Sequence, residues 1–127
     1  MMKLKFIACL LVLLTFISCD EECDDFCPGG PYFSDLYLFL TINNENPEVD
    51  IVIFNGRLER GDTVLTETVT GSTTFELVAD RYYSVTARYK QGNKEIVAIN
   101  GKELKMEEND CGCKRAKNYT MNLVLKD

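Results

Sequence analysis

The sequence predicts an all-β domain in which seven or eight antiparallel strands pack as a two-sheet sandwich. From Asp35 onward, apolar residues alternate with other residues, which is the two-residue period of a strand. Turn-forming residues interrupt this alternation about every 6 to 10 positions. No segment of the domain has the periodicity of a helix. Antiparallel hairpins of this kind close into a sandwich or a barrel, and we expect the sandwich.

Residues 1–18 have the organisation of a cleaved export signal. Two lysines precede an apolar stretch over residues 6–17, and Ser18 lies directly before Cys19. This stretch suits a signal peptide and is shorter than the roughly 18 apolar residues that a membrane-spanning helix needs. Phe16-Ile17-Ser18-Cys19 resembles the lipobox of bacterial lipoproteins. The resemblance implies cleavage after Ser18 and acylation of Cys19, for example with palmitate; a secreted protein without lipid is the alternative.

Residues 19–34 are expected to form a tether between this cysteine and a β domain over residues 35–127. Acidic residues crowd its start, where like charges repel and keep a chain extended: Asp20, Glu21, Glu22, Asp24 and Asp25. An acidic stretch behind a lipidated cysteine resembles the surface-export signal of Bacteroidota lipoproteins. That resemblance implies display on the outer face of the outer membrane, and a plain solvated tether is the alternative.

The first two strands follow from alternating aliphatic residues. Leucine or isoleucine occupies the even positions of residues 36–42, and Tyr37, Phe39 and Thr41 occupy the other face, so this strand should be central or covered. Val49, Ile51 and Ile53 mark the second strand, after which Asn55-Gly56 offers a tight turn.

Residues 63–70 are rich in threonine and valine and suit an edge strand. Gly71-Ser72 then predicts a type II′ hairpin into a strand over residues 73–79, with Phe75, Leu77 and Ala79 facing inward. The next strand alternates from Tyr83 to Tyr89 and turns at residues 91–93 into a strand over 95–99.

Asn100-Gly101 predicts a further turn, after which residues 102–106 form a short strand. A cysteine-bearing loop leads into the last strand. Its apolar face carries Tyr119, Met121, Leu123 and Leu125.

One strand-turn-strand segment is more specific than the rest. The run Leu77-Val78-Ala79-Asp80-Arg81-Tyr82-Tyr83-Ser84-Val85-Thr86-Ala87 resembles the corner of immunoglobulin-like and fibronectin type III domains. Prealbumin-like domains carry a similar corner. The resemblance implies an immunoglobulin-like sandwich in which the Tyr83 hydroxyl bonds back to the corner backbone.

Four cysteines follow Cys19, namely Cys23, Cys27, Cys111 and Cys113. An even number in an exported chain indicates two disulfides, and three pairings are open. Because a Cys111–Cys113 ring would be strained, cross-pairing between the tether and the late loop is favoured. A four-thiolate zinc site is the alternative, but the spacing lacks the usual Cys-x2-Cys pairs, so no metal is expected.

The composition excludes several function classes. The chain has no histidine, which rules out Ser-His-Asp and Cys-His catalysis, and its formal net charge of −6 disfavours nucleic acid. Paired carboxylates remain possible in principle, but the acids lie on predicted loops and solvent faces. We therefore expect no enzyme and no cofactor.

The remaining function classes involve binding. We expect a lipid-anchored envelope protein that binds or adheres to an unknown protein or glycan. The alternatives are a structural accessory subunit of an outer-membrane assembly, for which the edge strand at residues 63–70 is the first docking candidate, and an inhibitor or small hydrolase.

Overall fold

The computed structural model describes Cys27 and residues 29–126. The signal peptide, Cys19, Cys23 and the acidic run lie outside these residues, so the predictions about them stay predictions. The described part is all β, as predicted, with nine strands in place of seven or eight: β1 Phe33–Phe39, β2 Val49–Asn55, β3 Asp62–Val69, β4 Thr73–Val78, β5 Tyr82–Gln91, β6 Lys94–Glu103, β7 Glu107–Glu108, β8 Lys114–Arg115 and β9 Tyr119–Asn122.

Two sheets pack face to face as a sandwich. One has the strand order β4-β1-β9, the other has the order β3-β2-β5-β6, and β7 and β8 form a small separate ribbon. All pairs are antiparallel except β1 with β9, which run parallel. The all-antiparallel prediction fails at this pair because a parallel neighbour requires a long connection, which pattern alone does not reveal.

The core forms where the alternating apolar faces of the two sheets meet. Leu36 and Leu38 of the three-stranded sheet are fully buried, as are Ile51, Ile53 and Val85 of the four-stranded sheet. Fully burying one such side chain stabilises the fold by about 1.5–3 kcal/mol. These residues lie on the faces that their alternation predicts.

The strand β1 begins earlier and ends earlier than expected. It starts at Phe33, inside the segment assigned to the tether, and ends at Phe39. Ile42 therefore lies beyond the strand and is 38% exposed. Because β1 is the middle strand of its sheet, the central position is as predicted, but its outer face is uncovered.

The predicted hairpin at Gly71-Ser72 is wrong. The strand β4 pairs with β1, so this turn carries the chain from one sheet to the other. The Leu40 N–H donates to Ser72 Oγ at 3.1 Å, which connects this turn to the residue that follows β1. In this pairing Leu77 of β4 is buried in the core.

Two further turn predictions also fail. A loop over residues 56–61, not a tight turn, connects β2 to β3. The strand β6 continues through Asn100-Gly101, which the sequence marked as a turn. Glycine is needed there for a different reason, because a Cβ at position 101 would overlap the Tyr82 hydroxyl.

The corner and the cysteines fix one end of the sandwich. The Tyr83 hydroxyl donates to the Val78 carbonyl at 2.7 Å, which is the bond that the corner resemblance implies. Cys27 and Cys113 form a disulfide with their Cα atoms 5.3 Å apart, so the favoured cross-pairing is found for this pair. Cys111 is also disulfide-bonded. The pairing of Cys23 lies outside the described residues.

Candidate binding groove at a sheet edge

An open groove lies between the edges of the two sheets. One wall is β6, the last strand of the four-stranded sheet, and the other is the segment 122–126 that follows β9. Its volume is about 520 Å³. Seven of the ten lining residues are apolar, but backbone and polar side-chain atoms contribute as much of the lining surface: Ile96, Val97, Ala98, Ile99, Asn100, Asn122, Leu123, Val124, Leu125 and Lys126.

Hydrogen-bond geometry shows which backbone groups of β6 point toward this groove. The Gly56 N–H donates to the Tyr82 carbonyl at 2.7 Å, so the even-numbered residues of β5 turn their backbone groups toward β2. The odd-numbered residues of β5 therefore bond to β6, where Ala87 lies opposite Ala98. Their hydrogen-bond partners are the even-numbered residues of β6. The N–H and C=O groups of its odd-numbered residues point away from β5.

A second observation supports this assignment and limits the open stretch. The Gly101 N–H donates to the side chain of Asn100 at 2.8 Å, so it is not part of the β5–β6 ladder. Asn100 Nδ2 donates to the Asn122 carbonyl at 3.1 Å, and Lys102 Nζ donates to the Thr120 carbonyl at 3.0 Å. These two bonds bridge the sheet edges and close the groove at that end. The open stretch of β6 therefore runs over residues 94–99, whose outward backbone groups have no hydrogen-bond partner among the residues that the structure describes.

The wall opposite β6 is held rigidly by buried Tyr89. Its hydroxyl donates to the Leu123 carbonyl at 2.6 Å and accepts from the Thr41 N–H at 3.1 Å. The Leu123 N–H donates to the Phe39 carbonyl, and the Leu125 N–H donates to Thr41 Oγ1, each at 2.9 Å. Burial raises the pKa of Tyr89, so the hydroxyl stays protonated and able to donate to a higher pH than an exposed tyrosine would.

The side chains of β6 present apolar surface along the open edge. Val97 and Ile99 are 43% and 57% exposed on the outer face, and Ile96 and Ala98 are half-buried beneath the groove. Lys126 is the one charged residue among those that line it. An exposed edge of this length with apolar side chains is a template for another strand.

The opposite edge of the same sheet is protected. The first docking candidate from sequence, residues 63–70, lies in the edge strand β3 except for its last residue, Thr70. However, the register with β2 shifts between Ile53 and Phe54, so Val64 is an extra, unpaired residue. Bulges of this kind twist an edge and discourage pairing. The structure thus favours β6 over β3 as a docking edge.

The residues predicted from sequence lie elsewhere. Cys27, Cys111, Cys113 and Tyr83 belong to the end of the sandwich where Leu104 bonds to Arg81, whereas the groove flanks the other half of β6. Sequence reasoning missed the groove because an edge depends on sheet order. The one local signal was the pair of apolar residues, Val97 and Ile99, on the outer face of a strand.

Within residues 29–126, no group of three or more histidine, cysteine or acidic residues is placed to hold a metal. No helix in the same part of the chain has the length and hydropathy to cross a membrane. Comparisons of the chain with family profiles, with curated proteins and with solved structures find no match. Function must therefore be argued from the geometry.

Proposed function

We propose that the protein is a non-enzymatic, lipid-anchored envelope protein that binds an extended segment of another protein along β6. The outward backbone groups of residues 94–99, which have no partner among the described residues and lie beside the groove, are the observation that carries this proposal. An added strand would satisfy the outward N–H and C=O groups of Glu95, Val97 and Ile99. Apolar side chains of that strand would pack on Ile96 and Leu125.

The energetics suit reversible binding by a short segment. Each added backbone hydrogen bond contributes a net of about 0.5–1.5 kcal/mol, and burying apolar surface contributes about 25 cal/mol per Å². The bridges from Asn100 and Lys102 limit the segment to the open stretch. Strand addition gives affinity through the backbone and specificity through alternate side chains.

The anchor and the subclass of the fold belong to the same proposal. Cys19 carries the lipid, and the domain stands on the outer membrane, exposed at the cell surface. The Tyr83–Val78 hydrogen bond supports an immunoglobulin-like subclass. Intact-mass measurement of the native protein tests the anchor: acyl chains on an N-terminal Cys19 are expected, and an unprocessed chain would contradict it.

Photocrosslinking in cells that express the full-length chain tests the binding groove. A benzophenone side chain at position 99 should give one discrete adduct with another protein. The substitution Val97→Pro should abolish that adduct, because it removes an outward N–H without removing a bond to β5. Fragment mass spectrometry of the adduct should place the contact in a segment with alternating apolar residues.

Matched positions on the protected edge serve as controls. The same photoreactive side chain at position 64 should give no adduct, and Thr66→Pro should leave the adduct at position 99 intact. The binding proposal fails if position 99 gives no adduct in cells. It fails equally if Val97→Pro, folded by circular dichroism, leaves the adduct unchanged.

A further inference from the structure

A second exposed surface lies on the outer face of the three-stranded sheet, and we name it the aromatic face. It consists of the outward side chains of β1, namely Phe33, Asp35, Tyr37 and Phe39, with their neighbours on β4 and β9. Phe33 is 47% exposed and Phe39 is 45% exposed. The rings of Tyr37 and Phe39 meet edge to face with their centroids 4.7 Å apart. The middle strand of this sheet thus presents aromatic rings to solvent.

Two carboxylates lie directly opposite each other within the aromatic face. Asp35 of β1 pairs in register with Glu76 of β4. Directly opposite residues have Cβ atoms about 4.5–5.5 Å apart, and like charges in such positions destabilise a sheet. Of the ion pairs within residues 29–126, none includes either carboxylate. Neither carboxylate is therefore paired with a described cation.

The other members of the aromatic face are uncharged. Tyr37 lies between Thr74 and Thr120, and Phe39 lies beside Asn122. The described residues of β1, β4 and β9 on this face include no lysine or arginine. The face therefore combines exposed π systems with a doubly negative centre, and both features attract a cation.

We propose that the aromatic face binds an arginine-bearing segment of a protein partner. A planar guanidinium can hydrogen-bond to a carboxylate and stack on a neighbouring ring at the same time, which a lysine ammonium does less well. Seven residues of β1 extend over roughly 20 Å, long enough to follow a segment of several residues. The cation would lie between Asp35 and Glu76, flanked by Phe33 and Tyr37.

Peptide titration of the full-length chain in detergent tests this assignment. The probes are fluorescein-labelled (Gly-Ser-Arg)4 and (Gly-Ser-Glu)4, followed by fluorescence anisotropy. The arginine peptide should bind saturably and the glutamate peptide should not. The double substitution Asp35→Asn with Glu76→Gln should weaken arginine-peptide binding at least tenfold, and Phe33→Ser should weaken it as well.

A matched variant separates the local site from the overall negative charge. Asp62→Asn with Glu67→Gln removes the same two charges from β3, in the other sheet, and should retain affinity within twofold. The thermal unfolding midpoint of Asp35→Asn with Glu76→Gln should rise, because the repulsion between the two carboxylates is removed. This rise also shows that the weakened variant is folded.

Three outcomes would overturn the assignment: no saturable binding of the arginine peptide, equal binding of the glutamate peptide, or an equal loss of affinity in the β3 variant. Self-association seen by sedimentation and lost in the Asp35→Asn with Glu76→Gln variant would make a second copy the occupant and would also overturn it. The β6 variant Val97→Pro should bind the arginine peptide like the parent chain, so the two binding proposals succeed or fail separately.

Discussion

Two buried serines differ in one hydrogen bond. Ser34 is fully buried and its hydroxyl has no hydrogen-bond partner in the described part of the chain, whereas Ser84 Oγ donates to the Gly56 carbonyl at 2.7 Å. An unmet buried polar group costs about 1–3 kcal/mol. We therefore expect Ser34→Ala to raise the free energy of unfolding by about 1 kcal/mol, and Ser84→Ala to lower it by a similar amount. Urea unfolding of both variants checks this, and a loss of stability in Ser34→Ala would contradict it.

Two buried tyrosines predict how stability changes at alkaline pH. Desolvation by burial raises the pKa of Tyr83 and Tyr89 above the ordinary value of 10.0. The folded state thus favours their neutral form. Their contribution to stability is complete below about pH 10 and is lost as pH rises through the higher folded-state pKa.

The measurement is the unfolding midpoint between about pH 9 and pH 12, compared for the parent chain and the variant Tyr83→Phe with Tyr89→Phe. The parent should lose more stability across this window, because only its core must accommodate two phenolates. At pH 7 the variant should be less stable, because the Val78 and Leu123 carbonyls lose their donors. Parallel pH profiles for the two chains would contradict the expectation.

At the scale of the strand, alternation predicted burial well and turn signals predicted connectivity poorly. The inward faces of β2 and β5 are as expected, since a two-residue period fixes which side chains share a face. Gly71-Ser72 and Asn100-Gly101 both satisfy local hairpin rules and make no hairpin. In each case a long-range contact decided the outcome, and such contacts are invisible in a local pattern.

Gly101 resembles a turn residue in the sequence but lies within β6, where its lack of a side chain makes room for a neighbouring ring. Its missing side chain leaves room for Tyr82, whose ring also lies 5.4 Å from the Arg57 guanidinium. We expect Gly101→Ala to destabilise the fold by about 1–3 kcal/mol, because the ring must move. In a Tyr82→Ser background the same substitution should cost little. A double-mutant cycle in urea measures this coupling, and an equal cost in both backgrounds would show that backbone conformation, not the ring, requires glycine.

At the scale of the whole molecule, the binding groove could not be predicted because edges depend on sheet order. Cross-pairing between the tether and the late loop was favoured from ring strain, although the sequence left open which cysteines meet, and the Tyr83 corner was suggested by a short motif. They lie together at one end: the Ala79 N–H bonds to the Tyr32 carbonyl, and the Asp80 N–H bonds to the Leu104 carbonyl.

The disulfide between Cys27 and Cys113 links the start of the described chain to the loop before β8. It closes a loop with a sequence separation of 86, worth about 4 kcal/mol in a chain-entropy estimate. Both Cys111 and Cys113 donate backbone N–H groups to Asn109 Oδ1, so the loop keeps hydrogen bonds that do not depend on the disulfide. We expect Cys27→Ser with Cys113→Ser to lower the free energy of unfolding by up to that amount. Urea unfolding measures the loss, and the adduct at position 99 should persist, since the groove is built from the other half of β6. Loss of the adduct in a folded variant would mean that the segment at Cys27 supports the groove. An unchanged stability would mean that the remaining bonds of the loop, the disulfide of Cys111 among them, suffice without the Cys27–Cys113 bridge.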